Sequence, residues 1–406
     1  GVATRLPAFV RANHPSQWRS TATGFNHLVI TDAAFSEPAQ SLVAHRLAEG
    51  YRSAVIDIED VYDEYAFGEK NPHALKAFLR DATLNWPTPP RFVVLLGDAT
   101  IDPRDYAGQG AADFVPTLQV GMTTVAFETA SDDALADFDE DGIPELAVGR
   151  LSARTAEQAE TMVGRILSYD ESGAQAWQHQ VLLVADENDE TADFEAATDR
   201  VAARIPSSLV TTRINRGALT AETARAALRT AIDNGQLLVN FSGHGSVQLW
   251  GRDGDLLAGS EVATEWQNQS RVPLVVAMNC LNGLFTQVWD EESLAESLQR
   301  APNGGAMAVW ASSAITAAET QAVVNEELVR LLFSGEYRTV GEALAAAKRI
   351  VEGPDVRRSW IFFGDPAMRL AGAPLTGSGT ASPTVPPACL PPDSPPASRR
   401  PVYLLQ

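Results

Sequence analysis

Two apolar runs end in residues able to do covalent chemistry. "LLVNF" (237–241) leads through Ser242 into a histidine held between two glycines, Gly243-His244-Gly245, and "PLVVAM" (273–278) leads through Asn279 to Cys280. The 406 residues contain only six histidines and two cysteines, so their placement at two strand-like ends is a selective signal. A cysteine nucleophile needs a partner that manages its proton, and donors for the oxyanion that forms on the attacked carbonyl. Cys280 and His244 supply the pair. Gly243 permits a sharp exit from the strand, and Gly245, with no Cβ, lets substrate reach the backbone. The N–H groups of Gly245 and Cys280 are then the natural oxyanion donors. Taken singly, a core histidine bonded to a carbonyl and a small apolar cysteine in a strand are the plainer readings of the same residues.

Such a pair needs a scaffold, and the chain supplies an alternation of strand-like and helix-like segments. Strand patterns fall at "HLVIT" (27–31), "SAVIDI" (53–58), "FVVLL" (92–96), "ELAVG" (145–149), "VLLVA" (181–185), "LVTTR" (209–213), 237–241, 273–278 and "AMAVWA" (306–311). Helical patterns fall between them, one of them opened by Thr155 and Gln158 at capping-box spacing. Three strands are apolar without alternation, which predicts an α/β fold of parallel sheets with helices on both faces. Ligands in such sheets bind beyond the carboxyl ends of the strands, where His244 and Cys280 fall.

The polar break "DESGAQAWQHQ" (170–180) predicts two subdomains, 25–172 and 173–372, after a lead-in over 1–24. The lead-in begins at Gly1 and reads as the continuation of an upstream segment. Nine of the 24 prolines lie in the last 36 residues, so 373–406 reads as a proline-rich tail or linker that carries the second cysteine, Cys389. A net charge of −21 argues against nucleic acid and anionic membrane surfaces, and suits cations or basic substrates. No apolar run reaches membrane-spanning length.

The segment "DFDEDGIPE" (137–145) sets Asp137, Asp139 and Asp141 at alternate positions before Gly142, the opening of a calcium loop. The twelfth position is Val148 and not the glutamate of an EF-hand, which leaves Glu145 as a nearer ligand. A solvated acidic turn is the competing reading.

The stretch "LLVNFSGHGSVQLWG", with Cys280 in "VVAMNCLNGLF" 36 residues after the histidine, resembles the catalytic pair of gingipain-type cysteine peptidases. "RFVVLLGDATIDPRDY" (91–106), "DFDEDGIPELAVGRLSARTAEQAE" (137–160) and "WIFFGDPAMRL" (360–370) resemble the same family, in order, across roughly 25–372. The resemblance implies a caspase-like sandwich of parallel sheets in two subdomains. It implies a cysteine endopeptidase that acts on polypeptides through a thioester, with Cys280 as nucleophile and His244 as general acid/base. No cofactor is then required for the chemistry, and a structural Ca2+ and an extracellular or cell-surface setting are expected.

It also implies an acid beside the histidine, from the loop after "VLLVA": Asp186 or Glu187, with Glu187 preferred. Asp193 and Glu195 fall where basic-specific members place the acid of the first substrate pocket. Gln248 and Trp250 are candidates to line the cleft, core packing being the other account of Trp250. The arginine-specific members carry a pocket tryptophan where this chain reads "SSAITAAET" (312–320), and that departure counts against arginine specificity. A sortase-like transpeptidase using the same pair, or a catalytically silent surface or binding module, are the rival functions. A serine hydrolase is disfavoured, since no Gly-x-Ser-x-Gly elbow surrounds Ser242.

Overall fold

The computed structural model describes residues 15–371 apart from 111, 126 and 289–291. The proline-rich tail with Cys389 and the first fourteen residues of the lead-in lie outside the described residues. The first half runs β1 (His27–Thr31), α1 (Ser36–Ala48), β2 (Ser53–Asp57), α2 (Ile58–Ala66), α3 (Pro72–Asn85), β3 (Phe92–Leu96), a hairpin of β4 (Leu118–Gly121) and β5 (Glu128–Ser131), β6 (Ala147–Leu151) and α4 (Ala156–Glu171). Its sheet has the order β2-β1-β3-β6, all parallel.

Every residue of β1 and β3 is buried, because helices cover both faces. Leu28 and Ile30 pack with Leu75 and Phe78 of α3, whereas Val29 packs with Leu42 of α1 and Val163 and Ile166 of α4. Local chemistry starts the helices. Asn71 accepts the His73 N–H ahead of Pro72 at the start of α3, and Thr155 accepts the Gln158 N–H at the start of α4. The Gln158 side chain returns to the N–H of Arg154, one residue before the cap.

The second half runs β7 (Gln180–Ala185), α5 (Phe194–Ala202), β8 (Val210–Asn215), α6 (Ala221–Asp233), β9 (Leu238–Ser242), three short strands β10 (Gly245–Ser246), β11 (Leu249–Trp250) and β12 (Leu257–Ala258), α7 (Gly259–Glu265), β13 (Leu274–Met278), α8 (Leu294–Arg300), β14 (Ala308–Ser312), α9 (Ala318–Ser334), α10 (Val340–Ala347), α11 (Pro354–Ser359) and β15 (Trp360–Phe363). The sheet order is β15-β14-β13-β9-β7-β8, parallel except for β15. Leu183, Leu274 and Val276 face α9 and α10 through Val324, Leu328 and Leu344. Leu182, Val184 and Val275 face α6, α7 and α8 through Leu228, Val262 and Leu298. The hairpin β4–β5, α2, α7, α8 and α11 carry no apolar periodicity long enough to read from sequence, and tertiary contacts form them.

Buried charge joins the two halves. His27, at the start of β1, bonds Ser53 Oγ through Nδ1 (2.8 Å) and Asp365 Oδ1 through Nε2 (3.3 Å). Arg46 of α1 donates through Nε to Asp365 Oδ2 (2.7 Å) and through Nη1 to Asp170 of α4 (2.8 Å). Asp365 follows β15, so one carboxylate ties the first sheet to the last strand of the second. A second link runs from Arg300 of α8 to Asp98 and to the carbonyl of Ser152, beyond the ends of β3 and β6.

Burial alone would raise the Asp365 carboxyl, but Arg46 and then His27 outweigh it and hold the group well below the usual carboxylate range. Its stabilising contribution is therefore complete above the unfolded value of about 4 and is lost only as pH falls below it. Asp365→Ala should lower unfolding free energy by about 3–5 kcal/mol, since it leaves Arg46 buried without its main counter-charge. Urea titrations should show a constant gap to the wild type from pH 8 to 5 and a narrowing gap below about pH 4. A pH-independent gap would exclude the carboxylate as its origin.

Candidate active site

Strands β9 and β13 are neighbours in parallel register, with Ser242 opposite Met278. His244 and Cys280 each stand two residues beyond that last pair, so both leave the sheet at the same height on adjacent strands, whose spacing is about 4.8 Å. The Gly243 N–H bonds the Met278 carbonyl (3.2 Å) and carries the pairing one step past the strands. Both glycines are required by close approach. A Cβ on Gly243 would overlap Asp186 Cβ and the Phe241 ring, and one on Gly245 would overlap Asn279 Nδ2.

The His244 carbonyl accepts the Gly251 N–H (2.9 Å) and Gly245 lies opposite Trp250. Bonded and non-bonded pairs alternate in an antiparallel ladder, so Gly245–Trp250 is a non-bonded pair and the Gly245 N–H points out of the hairpin.

The loop after β7 supports the histidine from below and from the side. Asp186, buried at the end of β7, accepts the His244 N–H (2.9 Å) and the Glu187 N–H (2.8 Å). Burial raises its carboxyl, and these two bonds pull it back. Asp186 thus holds the backbone of the glycine turn and is not a cleft residue. Asp189 Oδ1 closes its own turn on the N–H groups of Thr191 and Ala192, which leaves Oδ2 for His244 Nε2 at 2.8 Å. The His244 bond, with help from Thr191, Ala192 and Arg252, holds the Asp189 carboxyl well below the usual range. Arg252 donates to the same oxygen.

The expected partner Glu187 is a correction: its side chain lies near Gly217, and the acid on the imidazole is Asp189. The turn of the loop decides this, and spacing along the chain does not encode it. Asp193 caps α5 through the Ala196 N–H (2.8 Å), and the next residue, Phe194, packs edge-on to the imidazole at 5.2 Å. The Glu195 side chain approaches Gly217. Gln248 is half-buried, and its carbonyl accepts the Gly259 N–H (2.9 Å).

Trp250 does not line the cleft. It is fully buried, stacked on Phe241 at 4.5 Å, and its Nε1 donates to Asn282 Oδ1 (2.7 Å). Asn282 is the residue that sequence reasoning missed most plainly. It accepts from Trp250 and Asn279 and donates to the carbonyls of Ser246 (2.5 Å) and Leu249 (3.2 Å), which pins the histidine hairpin to the cysteine loop. Asparagines on both sides of Cys280, in "NCLNG", were the available signal.

Cys280 is half-buried, with Sγ 3.9 Å from the Thr316 carbonyl oxygen. Burial raises its thiol, against hydrogen bonds from the Thr316 backbone and the Gln321 side chain. Leu281 beside it has φ +68°, a left-handed conformation that costs a bulky residue of order 1–3 kcal/mol and turns the chain sharply at the thiol. The bonds Leu281 N–H to Ala314 (3.2 Å) and Gly283 N–H to Ser312 (2.8 Å) hold that turn against the exit of β14.

The acidic segment lies apart, ahead of β6. Oxygens of Asp137, Asp139 and Glu145 lie within 4.8 Å of one another. Asp137 Oδ1 is buried without a hydrogen-bond partner, and Glu145 is pushed up to about 7 by burial and the neighbouring carboxylates. An uncompensated buried oxygen among crowded carboxylates fits a hard cation. Asp141 stands outside this group, with its Oδ1 on the Ile143 N–H (2.7 Å).

Two α/β/α units side by side, with a histidine and a cysteine at adjacent strand ends, form a caspase-like fold. A model of peptidase family C25 matches residues 20–371, and the chain belongs to that family. Gingipain R2 of Porphyromonas gingivalis is 25% identical over 244 residues, which cover 55% of this chain and 32% of the relative. A Gingipain R1 from Porphyromonas gingivalis is also 25% identical over 244 residues, covering 24% of that protein. The chain thus spans about a third or less of these curated relatives. The crystal structure of the Arg-specific cysteine proteinase gingipain R (RGPB) superposes with a TM-score of 0.69 at 18% identity, over 85% of this chain and 78% of that one.

Gly245→Ala tests the crowding at the site. Asn279 is fully buried and bonded to Asn282, so the hairpin must move and carry the Gly245 N–H with it. If the Gly245 N–H is an oxyanion donor of a peptidase, peptide turnover should fall about 100-fold, the scale of one misplaced donor, with the circular dichroism spectrum unchanged. Undiminished turnover would remove Gly245 from the site.

Proposed function

We propose that the protein is a cysteine endopeptidase with Cys280 as nucleophile and His244 as general acid/base. The observation that carries this reading is the equal offset of the two residues beyond the paired ends of β9 and β13. Membership of family C25 supports a cysteine peptidase acting on polypeptides.

In the proposed reaction the thiol proton passes to His244 as Sγ attacks the carbonyl carbon of the scissile bond. The oxyanion is received by the N–H groups of Gly245 and Cys280. Collapse breaks the C–N bond, the amine leaves with the proton from His244, and a thioester remains. Water, deprotonated by His244, then releases the acid and restores the thiol. Asp189, ionised at neutral pH, fixes the ring and offsets the imidazolium charge. Arg252 shares that carboxylate, so the acid cannot follow both partners without cost.

The reading includes a structural calcium ion held by Asp137, Asp139 and Glu145, which would neutralise their mutual repulsion. It also places the protein outside the cell or at its surface, as the likeness to gingipain-type sequences implies. No helix among the described residues is long and apolar enough to cross a membrane.

A peptide library incubated under reducing conditions should be cleaved by the wild type, with activity lost in Cys280→Ala and reduced by orders of magnitude in His244→Ala. Mass spectrometry with an added amine distinguishes hydrolysis from transfer, and products carrying the amine in place of water would replace the endopeptidase reading by a transpeptidase. Equal cleavage by wild type and Cys280→Ala would sink both.

Calcium should raise the melting temperature of the wild type and leave that of Asp137→Asn unchanged. Equal shifts in the two proteins would remove the ion from this loop.

A further inference from the structure

Thr316, which contacts the candidate nucleophile, is itself held by a side chain outside the pair. Gln321, in the first turns of α9 and only 4% exposed, donates through Nε2 to the Thr316 carbonyl (3.0 Å) and to Thr316 Oγ1 (3.0 Å). The same carbonyl oxygen lies 3.9 Å from Cys280 Sγ. Two side chains, one from the cysteine loop and one from α9, therefore meet at one carbonyl.

The 312–317 segment has few other ways to fix that carbonyl. It leaves β14 at a Ser-Ser-Ala turn, where Ser312 Oγ is occupied with Ala314 and Ser313 Oγ reaches back to Ala130 in β5. Ile315 is 46% exposed, so little apolar packing anchors the segment at that residue. A buried carboxamide with two bonds to one residue is a rigid support, because leaving either acceptor unpaired costs more than the bond itself contributes.

We propose that Gln321 is a positioning residue for the Cys280 thiol: by fixing the Thr316 carbonyl against Sγ it sets the direction in which the thiol is held. Among the described residues on the elements around Cys280, the charged or titratable groups include His244, with Asp189 and Arg252 behind it, Glu292, bonded to Arg300 and Ser297, and Glu319, exposed in the first turn of α9. The described part of the β14–α9 connection, Ser313–Ala317, carries no titratable side chain. On that side, hydrogen bonding alone opposes the effect of burial, which favours the neutral thiol. Removing the carboxamide leaves the Thr316 carbonyl to accept the S–H undivided, which adds to the effect of burial and moves the thiol toward weaker acidity.

The inference rests on Cys280 as nucleophile, yet its test needs no turnover. In a Cys389→Ser background, Cys280 is the sole cysteine, and its alkylation by iodoacetamide can be followed from pH 6 to 11. Gln321→Met removes both donors at similar volume, and Gln321→Glu keeps the shape but offers a carboxylate. Both should shift the alkylation profile upward by about one pH unit, about tenfold slower reaction at pH 7. Thr316→Val, which deletes one acceptor of the carboxamide, should shift it the same way by less, and it carries the test if the Gln321 variants fail to fold. Where peptide turnover is measurable, kcat should fall with KM near the wild-type value.

Profiles of folded variants that superimpose on the wild type would overturn the proposal. A wild type that alkylates normally but cleaves no peptide would instead overturn the peptidase reading.

Discussion

The site depends on one pairing: β9 and β13 lie side by side, parallel, with Ser242 opposite Met278. A parallel pair brings both chains out at the same end of the sheet, so two residues far apart in sequence become neighbours without either strand bending. Slippage by one residue would turn every apolar side chain of β13 to the opposite face and separate Cys280 from His244 in height. The register is secured because both faces are buried under helices, with Leu274 and Val276 on one side and Val275 on the other. Core packing thus does the positioning that a loop-borne site would need many local contacts to achieve.

Close backbone approach and a left-handed residue meet at the exits from these two strands. Gly243 and Gly245 let the histidine turn run against Asp186 and Asn279, and Leu281 takes a left-handed conformation next to the cysteine. Asn282 joins the two exits by bonding Asn279, Trp250 and two hairpin carbonyls, so neither loop can move alone. Strain of this kind persists only where the surroundings over-determine it. Trp250, buried on Phe241, belongs to that support and not to the cleft.

Charge follows the same division between support and chemistry. The pairs of Asp365 with Arg46 and of Asp98 with Arg300 are buried and join the two halves at separate points. Their desolvation cost makes them weak as net stabilisers but selective for one relative placement of the sheets. Around the cysteine, burial favours the neutral thiol and hydrogen bonds from the Thr316 backbone and the Gln321 side chain oppose it. Asp189 lies on His244 and is shared with Arg252, so the orientation of the imidazole depends on a loop that is itself held by short-range turns.

The sequence by itself determined the fold class and set His244 and Cys280 at strand ends. Short unbroken apolar runs between helical patterns read as strands covered on both faces, and glycines around a histidine at such an end mark a close backbone approach. The acidic spacing 137–139 likewise converges locally, because alternate residues before a glycine turn share one side. What only the tertiary structure decided were the contacts made by loops: Asp189 in place of Glu187, Trp250 in the core, Asp193 as a helix cap, and Gln321 behind Thr316. A strand's neighbours follow from a pattern with a fixed period, whereas the direction of a loop side chain depends on turns whose geometry no period encodes. Asp186, Glu187 and Asp189 are chemically interchangeable in the sequence, and they separate only when the chain folds one of them under the glycine turn and another onto the imidazole.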